Sequence, residues 1–298
     1  MLTTSLHHSA TNRQQAESGK HAGRGFTLVE LIMVIALAGI VAVMISTVMT
    51  RPLQGFADQS RRAELTDLAA TALNRMARDI RLAVPNSVMP TGNTQLELLA
   101  ISEAGRYRAN QWKENGARYD PPRCPDSGAC SIPVLSPGMD KDEVEKASWM
   151  VIYNTGQLIG NNDAPAVITP NNVQFELGCS PDEPCLELSG TEGFSFEYAS
   201  PQHRFYLVRD VLGYRCEDPG ANANGDGRGR ILRKVFDTLS GAYSYADAPL
   251  VVDSVSSCSF SYTPGTNTRN GLVTLHLSLT KGGETVSLLQ QVHVDNAP

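Results

Sequence analysis

Hydrophobic residues are concentrated in one continuous stretch near the N-terminus. Residues 26–49 read FTLVELIMVIALAGIVAVMISTVM, and the only formal charge among them is that of Glu30. A helix rises by about 1.5 Å per residue, so this stretch is roughly 36 Å long and exceeds the ~30 Å hydrocarbon core of a bilayer. The pattern therefore predicts one membrane-spanning helix.

A second helical pattern follows between residues 56 and 84. Its apolar residues recur at helical spacings and form one stripe, made up of Leu65, Leu68, Ala69, Ala72, Leu73, Met76 and Ile80. Pro85 follows Val84 as a stop signal. We expect one long helix with a membrane half (26–50) and an amphipathic half (51–84), whose apolar stripe packs against the rest of the chain.

Pro52 lies where the two halves of this helix meet. A proline inside a helix removes one hydrogen bond of the ladder and clashes with the preceding turn. The sequence therefore predicts a kink or local melting at this position.

The pattern changes to short alternating segments in residues 85–298, which are separated by Gly-rich and Pro-rich loops. The predicted strands are 149–153, 194–198, 260–262, 272–279 and 284–294, and the predicted loops are 115–138, 160–172, 178–193, 217–230 and 263–271. The Lys281-Gly282-Gly283 turn predicts a hairpin. Since strands and helices do not alternate, we expect an α+β fold, with the long helix packed on an antiparallel sheet in a globular head.

The charge balance limits the binding partners. The chain has 25 Lys and Arg against 31 Asp and Glu, a net charge of −6, which argues against binding of nucleic acid by electrostatic attraction. The segment from His203 to Arg209 mixes basic and aromatic residues and is a weak DNA-binding candidate. A β-strand with one wet face explains the same pattern.

All six cysteines lie in the predicted head: Cys124, Cys130, Cys179, Cys185, Cys216 and Cys258. An even number in an exported domain favours disulfides, although six cysteines allow fifteen pairings that the sequence does not resolve. We favour two local pairs, 124 with 130 and 179 with 185, plus 216 with 258. Zinc is the alternative, but the spacing of both local pairs is wider than usual for zinc ligands. Disulfides place the head outside the cytoplasm and the N-terminus inside it.

Other candidate chemistry in the head is sparse. Asn222, Asn224 and Asp226 imitate the first half of a calcium loop, but the twelfth position is Arg233, where a Glu is required. We favour an Asn/Gly turn and keep calcium as a weak alternative. His203, His276 and His293 match no known metal or catalytic spacing, so we expect no enzymatic activity, cofactor or bound metal.

Glu30 is the residue of the apolar stretch that requires an explanation. A carboxylate deep in a spanning helix costs on the order of 2.5–3.5 kcal/mol. Either Glu30 is near enough to the helix start to reach water, or a positive group of a partner meets it in the membrane. A free α-amino group would serve if the chain were cut just before the apolar stretch. Ordinary secretory cleavage does not explain such a cut, since no A-x-A site follows the stretch.

The segment Gly25-Phe26-Thr27-Leu28-Val29-Glu30, with a polar stretch before it and apolar residues after it, resembles the class 3 prepilin signal of the type IV pilin-like (pseudopilin) family. The resemblance implies that prepilin peptidase cuts between Gly25 and Phe26 and N-methylates Phe26. Glu30 would then neutralise the Phe26 amine of a neighbouring subunit. Removal of the leader (1–25) leaves 22 basic against 30 acidic residues, a net charge of −8.

A narrower resemblance covers residues 61–88, which are similar to the MSHA (mannose-sensitive haemagglutinin) pilus biogenesis MshO family. It implies a minor pilin-like component in the inner membrane that helps to initiate or cap a type IV pilus. The implied partners are the prepilin peptidase, other major and minor pilins and the inner-membrane assembly platform. The alternatives are a tip pseudopilin of type II secretion and, from another class, a periplasmic binding or enzymatic domain on a single-span anchor.

Overall fold

The computed structural model of the chain describes residues 25–109, 111–112, 118–136, 138–161, 165–180, 183–266 and 269–294. Residues 1–24 of the expected leader lie outside the described residues, and so do the side chains of 49–54. The chain divides into two compact units, Met1–Phe56 and Ala57–Pro298.

Helix α1 (Leu28–Arg81) contains both predicted halves of the long helix. The Oγ1 of Thr27 accepts a hydrogen bond of 3.2 Å from the backbone N–H of Glu30, as an N-cap residue does. The helix ends at Arg81, three residues before the predicted end, and Ala83 already forms a β-bridge with Ala100. The backbone is helical through Pro52, and the kink expected there stays a prediction.

The head contains a short helix and thirteen strands among the described residues. In chain order they are β1 (Met89–Thr91), β2 (Gln95–Arg106), β3 (Gln111–Trp112), β4 (Arg118–Tyr119), β5 (Cys130–Pro133), α2 (Lys141–Glu145), β6 (Trp149–Val151), β7 (Gln174–Ser180), β8 (Glu183–Ser189), β9 (Arg204–Glu217), β10 (Gly229–Phe236), β11 (Leu250–Thr263), β12 (Gly271–Lys281) and β13 (Glu284–Val294).

Eight of these strands form one antiparallel sheet in the order β1-β2-β9-β10-β11-β12-β13, and β6 also pairs with β9. The remaining strands form two small sheets, β3-β4 and β5-β8-β7. The predicted hairpin is confirmed as β12-β13, which turns at Gly282 and Gly283. The predicted antiparallel head is therefore confirmed.

Three local predictions were wrong, and the first is the loop 115–138, which contains β4 and β5. Residues 194–198 alternate like a strand but form a loop, in which Ser195 makes a single bridge to Arg123. Residues 178–193 were predicted as a loop but contain most of the β7-β8 hairpin. Short alternation and loop-like composition did not decide these segments, because whether a segment becomes a strand depends on the pairing partner that the fold gives it.

The C-terminal part of α1 covers one face of the large sheet. Of the predicted stripe, six residues are buried: Leu65, Ala69, Ala72, Leu73, Met76 and Ile80. Leu68 is the exception, since it is 38% exposed, whereas Ala77, which was not in the predicted stripe, is fully buried. The helix packs on apolar side chains of β2 and β9–β13, among them Leu96, Leu98, Phe260, Leu275 and Val292.

Three disulfides tie the head together, in the pairing that the sequence analysis favoured. Cys124–Cys130 and Cys179–Cys185 close local loops, and Cys216–Cys258 joins β9 to β11. Because β10 lies between these two strands, the third disulfide spans the middle of the sheet. Both of its sulfur-bearing residues are buried in the core beneath α1.

Candidate functional site

The Gly25–Phe26 peptide bond lies just outside helix α1. Residues 25–27 are not helical, and α1 begins at Leu28. Phe26 is 80% exposed, and no other described residue comes close to the position of a side chain at Gly25. A protease could therefore reach this bond without unwinding the helix, because none of the helical hydrogen bonds crosses it.

Glu30 lies in the first turn of α1 and is exposed. An acidic residue in the first turn is favoured by the partial positive charge at the helix N-terminus. Among the described residues, no cationic side chain pairs with Glu30.

The apolar residues of α1 between Leu28 and Val48 have no protein partner in the described part of the chain. This segment is long and apolar enough to cross a membrane, and none of it is buried. A helix from the core of a soluble protein would be mostly buried. The exposed surface therefore requires lipid, or the apolar helices of other subunits, to remove it from water.

The structure places the calcium candidates in a turn. The Oδ1 of Asn222 accepts hydrogen bonds from the backbone N–H groups of Asn224 (2.9 Å) and Asp226 (3.0 Å). The Oδ1 of Asp226 accepts a hydrogen bond of 2.5 Å from the backbone N–H of Gly282. Arg233, at the twelfth position, pairs with Asp79 at 3.0 Å. These oxygens thus bind backbone donors and hold the turn against the β12-β13 hairpin.

One further group has the spacing of metal ligands, namely Cys179, Cys185 and Glu187. Zinc binds thiolate sulfur, whereas the two sulfurs here are joined in a disulfide. The three residues therefore do not form a metal centre in the oxidised head.

Glu97 of β2 forms a buried polar cluster that the sequence analysis did not identify. Its carboxylate is fully buried and accepts hydrogen bonds from Gln95, Thr91 and Tyr245. Burial raises the pKa of Glu97, and its three hydrogen bonds offset only part of this effect. Glu97 alternates with two core leucines along its strand, a pattern typical of a solvent-facing position.

Gly213 of β9 makes the Glu97 cluster sterically allowed. It is the register partner of Glu97 on the neighbouring strand. A side chain at Gly213 would collide with the hydroxyl of Tyr245, which has to reach the carboxylate. A glycine inside a strand often indicates such a close approach. Gly213 is therefore the residue from which the sequence analysis could have identified the cluster.

Comparison with known proteins finds one motif in the chain. Residues 20–46 match the family model described as the prokaryotic N-terminal methylation motif, and this range includes Gly25, Phe26 and Glu30. The comparisons with curated proteins and with solved structures find no match. The chain therefore carries a type IV pilin-like processing signal that extends over most of an exposed, membrane-anchoring apolar helix.

Proposed function

We propose that this chain is a minor pilin-like (pseudopilin) component of a type IV pilus of the MSHA type. It would be inserted in the inner membrane by α1 and would help to initiate or cap the filament. The observation that carries the proposal is the methylation motif, which begins before the apolar part of α1 and continues into it, on a segment whose surface is entirely exposed. The assignment to the MSHA type rests on the resemblance of residues 61–88 alone.

Processing would prepare the helix for assembly in two steps. Cleavage after Gly25 removes the polar leader and leaves a positive amine on Phe26. This amine of one subunit would then lie beside the Glu30 carboxylate of the next, which offsets the cost of burying either charge in an apolar environment. The apolar surface of Leu28–Val48 would be covered by the corresponding helices of neighbouring subunits.

The head would lie in the periplasm and act by contact with other subunits, not by catalysis. Its three disulfides require an oxidising compartment, whereas the prepilin peptidase acts on the cytoplasmic side of the membrane. A single membrane-spanning helix would connect the periplasmic head to the cleavage site on the cytoplasmic side. A tip pseudopilin of type II secretion would share all of these features and is the second candidate.

The mass of the native N-terminus tests the proposal. The protein purified from membranes should begin at N-methylated Phe26, and the same protein from cells that lack prepilin peptidase should begin at Met1. An intact leader in both strains would contradict a pilin-like function and would favour a periplasmic domain on a simple anchor. Co-fractionation with sheared surface pili, and not with a secretion complex, separates the two pilin-like candidates.

A further inference from the structure

The two edges of the large sheet differ in how they are protected. At one edge, β1 has three residues and includes Pro90, and a short strand with a proline prevents further pairing. At the other edge, β13 has eleven residues and pairs with β12 without a register shift along its whole length. The β13 edge is therefore long, regular and open.

The hairpin turn determines which residues of β13 face outward. Gly282 and Gly283 have φ angles of +58° and +83°, as a two-residue type I′ turn requires, and the flanking residues Lys281 and Glu284 are paired. In such a hairpin the flanking pair exchanges both backbone hydrogen bonds, and every second pair does the same. The backbone N–H and C=O groups therefore point away from β12 at Thr285, Ser287, Leu289, Gln291 and His293.

These outward groups have no backbone partner among the described residues. The strand also lacks the usual devices against pairing, because it contains no lysine, arginine, proline or bulge. At its centre, the side chain of Leu289 is 63% exposed. A row of evenly spaced backbone donors and acceptors is complementary to another extended backbone.

We propose that the β13 edge binds an extended strand of a neighbouring pilin-like subunit, which adds to the sheet. This inference rests on the proposed function, because it assumes assembly with other subunits. The proposed contact lies in the head, and the methylation motif near the N-terminus does not imply it. The ten outward backbone groups provide the affinity, and the side chains of the edge select the partner.

The side chains along the β13 edge indicate which residues the partner strand should carry. A ladder of hydroxyl groups crosses three strands and ends at the edge: the hydroxyl of Thr280 donates to that of Ser256 (2.7 Å) and also pairs with that of Thr285 (3.0 Å). Ser278 and Ser287 form a parallel pair at 2.8 Å. The five outward residues carry no carboxylate, amine or guanidinium. The occupant is thus an uncharged segment with Ser or Thr opposite this ladder and an aliphatic residue opposite Leu289.

The direction of β13 argues against a second copy of the same strand as the occupant. Arg62 of α1 contacts Glu284 at 3.5 Å, and Asn74 contacts Gln290 at 3.3 Å, so residues 62–74 of α1 run in the same direction as β13. An antiparallel pair of β13 strands would place the two 62–74 segments antiparallel. Heads that follow one another along a filament with the same polarity have these segments in the same direction instead.

Cysteine labelling tests the proposal on the whole processed protein. All six native cysteines are in disulfides, so Leu289→Cys adds the only free thiol. We expect a maleimide to label this thiol at least tenfold more slowly in the sheared filament fraction than in detergent-solubilised protein. Leu250→Cys is the matched control, because Leu250 is 53% exposed on β11, and it should be labelled equally in both.

Equal labelling of Leu289→Cys in both fractions would overturn the proposal, and so would equal protection of both variants. A disulfide-linked dimer through Leu289→Cys would overturn the stated occupant in favour of a second copy. Cleavage and methylation at Phe26 are measured in the same samples. Failure of processing would contradict the proposed function, whereas normal processing without protection would contradict only the edge contact.

A proline provides the second test. Gln291→Pro removes one outward N–H and leaves the hydrogen bonds to β12 in place, as edge strands tolerate. We expect normal folding and processing but at least a fivefold loss from the filament fraction, while Gln291→Thr is incorporated normally. Normal incorporation of a folded Gln291→Pro protein would overturn the proposal. If Gln291→Pro does not fold, the amounts of Leu289→Lys and Leu250→Lys in the filament fraction are compared instead. A charge on the edge strand should reduce incorporation of Leu289→Lys and not of Leu250→Lys, and equal incorporation of the two would overturn the proposal.

Discussion

The carboxylate of Asp79 on α1 accepts a hydrogen bond of 2.6 Å from the hydroxyl of Tyr214 on β9. The same carboxylate oxygen accepts a hydrogen bond of 3.0 Å from Nε of Arg233 on β10. Burial, together with the bond to Asp79, raises the pKa of Tyr214, which therefore stays a protonated donor. The helix is thus fixed to the two central strands by a polar contact at the margin of its apolar interface.

Replacement of Asp79 should destabilise the head without changing processing. Removal of one partner from a buried ion pair costs about 3–5 kcal/mol, and we expect Asp79→Ala to lower the free energy of unfolding by about 2–4 kcal/mol because the carboxylate is partly exposed. Chemical denaturation of the processed protein in detergent measures this change. Asp67→Ala, an exposed carboxylate on the same helix, should change stability by less than about 0.5 kcal/mol. Equal effects of the two substitutions would contradict a special role for Asp79.

Glu97 should make the stability of the head depend on pH. Folding raises the pKa of Glu97, so the folded state binds this proton more tightly than the unfolded state. The contribution of Glu97 is therefore fully present below its unfolded pKa of about 4.3 and is lost as the pH rises to the folded pKa. Each unit of the increase corresponds to about 1.4 kcal/mol.

Glu97→Gln should remove this dependence and preserve the cluster. The side-chain oxygen that binds Gln95 and Tyr245 remains, and the new amide can donate to the hydroxyl of Thr91. The variant should gain stability relative to the native protein as the pH rises from 4 to 7, as measured by denaturation at each pH. Glu192→Gln, at an exposed position, should follow the native protein. A constant difference between Glu97→Gln and the native protein would contradict the raised pKa.

The Cys216–Cys258 disulfide should contribute more to stability than either local disulfide. It joins residues that are 42 positions apart, whereas the partners in Cys124–Cys130 and Cys179–Cys185 are 6 apart. The loop-entropy relation gives about 4 kcal/mol for the long loop and roughly 2.4 kcal/mol for each short one. Paired Cys→Ser variants, compared by denaturation, measure this order. A larger loss of stability from a local pair would show that the entropy of the unfolded chain does not control the effect of these disulfides.

Glu30→Ala should leave membrane insertion and cleavage intact and reduce incorporation into filaments. The substitution removes the carboxylate that we expect to neutralise the Phe26 amine of a neighbour, so that amine would be buried without a counter-ion. Immunoblots of membrane and sheared filament fractions measure the ratio, which we expect to fall at least tenfold. Glu64→Ala, at an exposed position farther along α1, is the control. Normal assembly of Glu30→Ala would contradict pairing between subunits.

The sequence by itself determined the features that depend on neighbours along the chain. Residues 26–49 indicated the apolar helix through their composition, and Gly25, Phe26 and Glu30 supplied the motif that the family comparison matched. Gly282 and Gly283 indicated the last hairpin, because few other residues adopt the φ angles of its turn. In each case the information lies within a few residues, or within one helical period.

Only the tertiary structure decided which side chains meet across the head. Leu68 fits the apolar stripe by spacing but is partly exposed, whereas Glu97 fits a wet face and is fully buried. The contact of Asp79 with Tyr214 joins residues 135 positions apart. In the described part of the chain, β13 pairs with β12 alone and is the last strand of the sheet, which leaves its other edge open. The environment of a side chain depends on the order and register of distant strands, and local patterns of hydrophobic and polar residues do not encode that order.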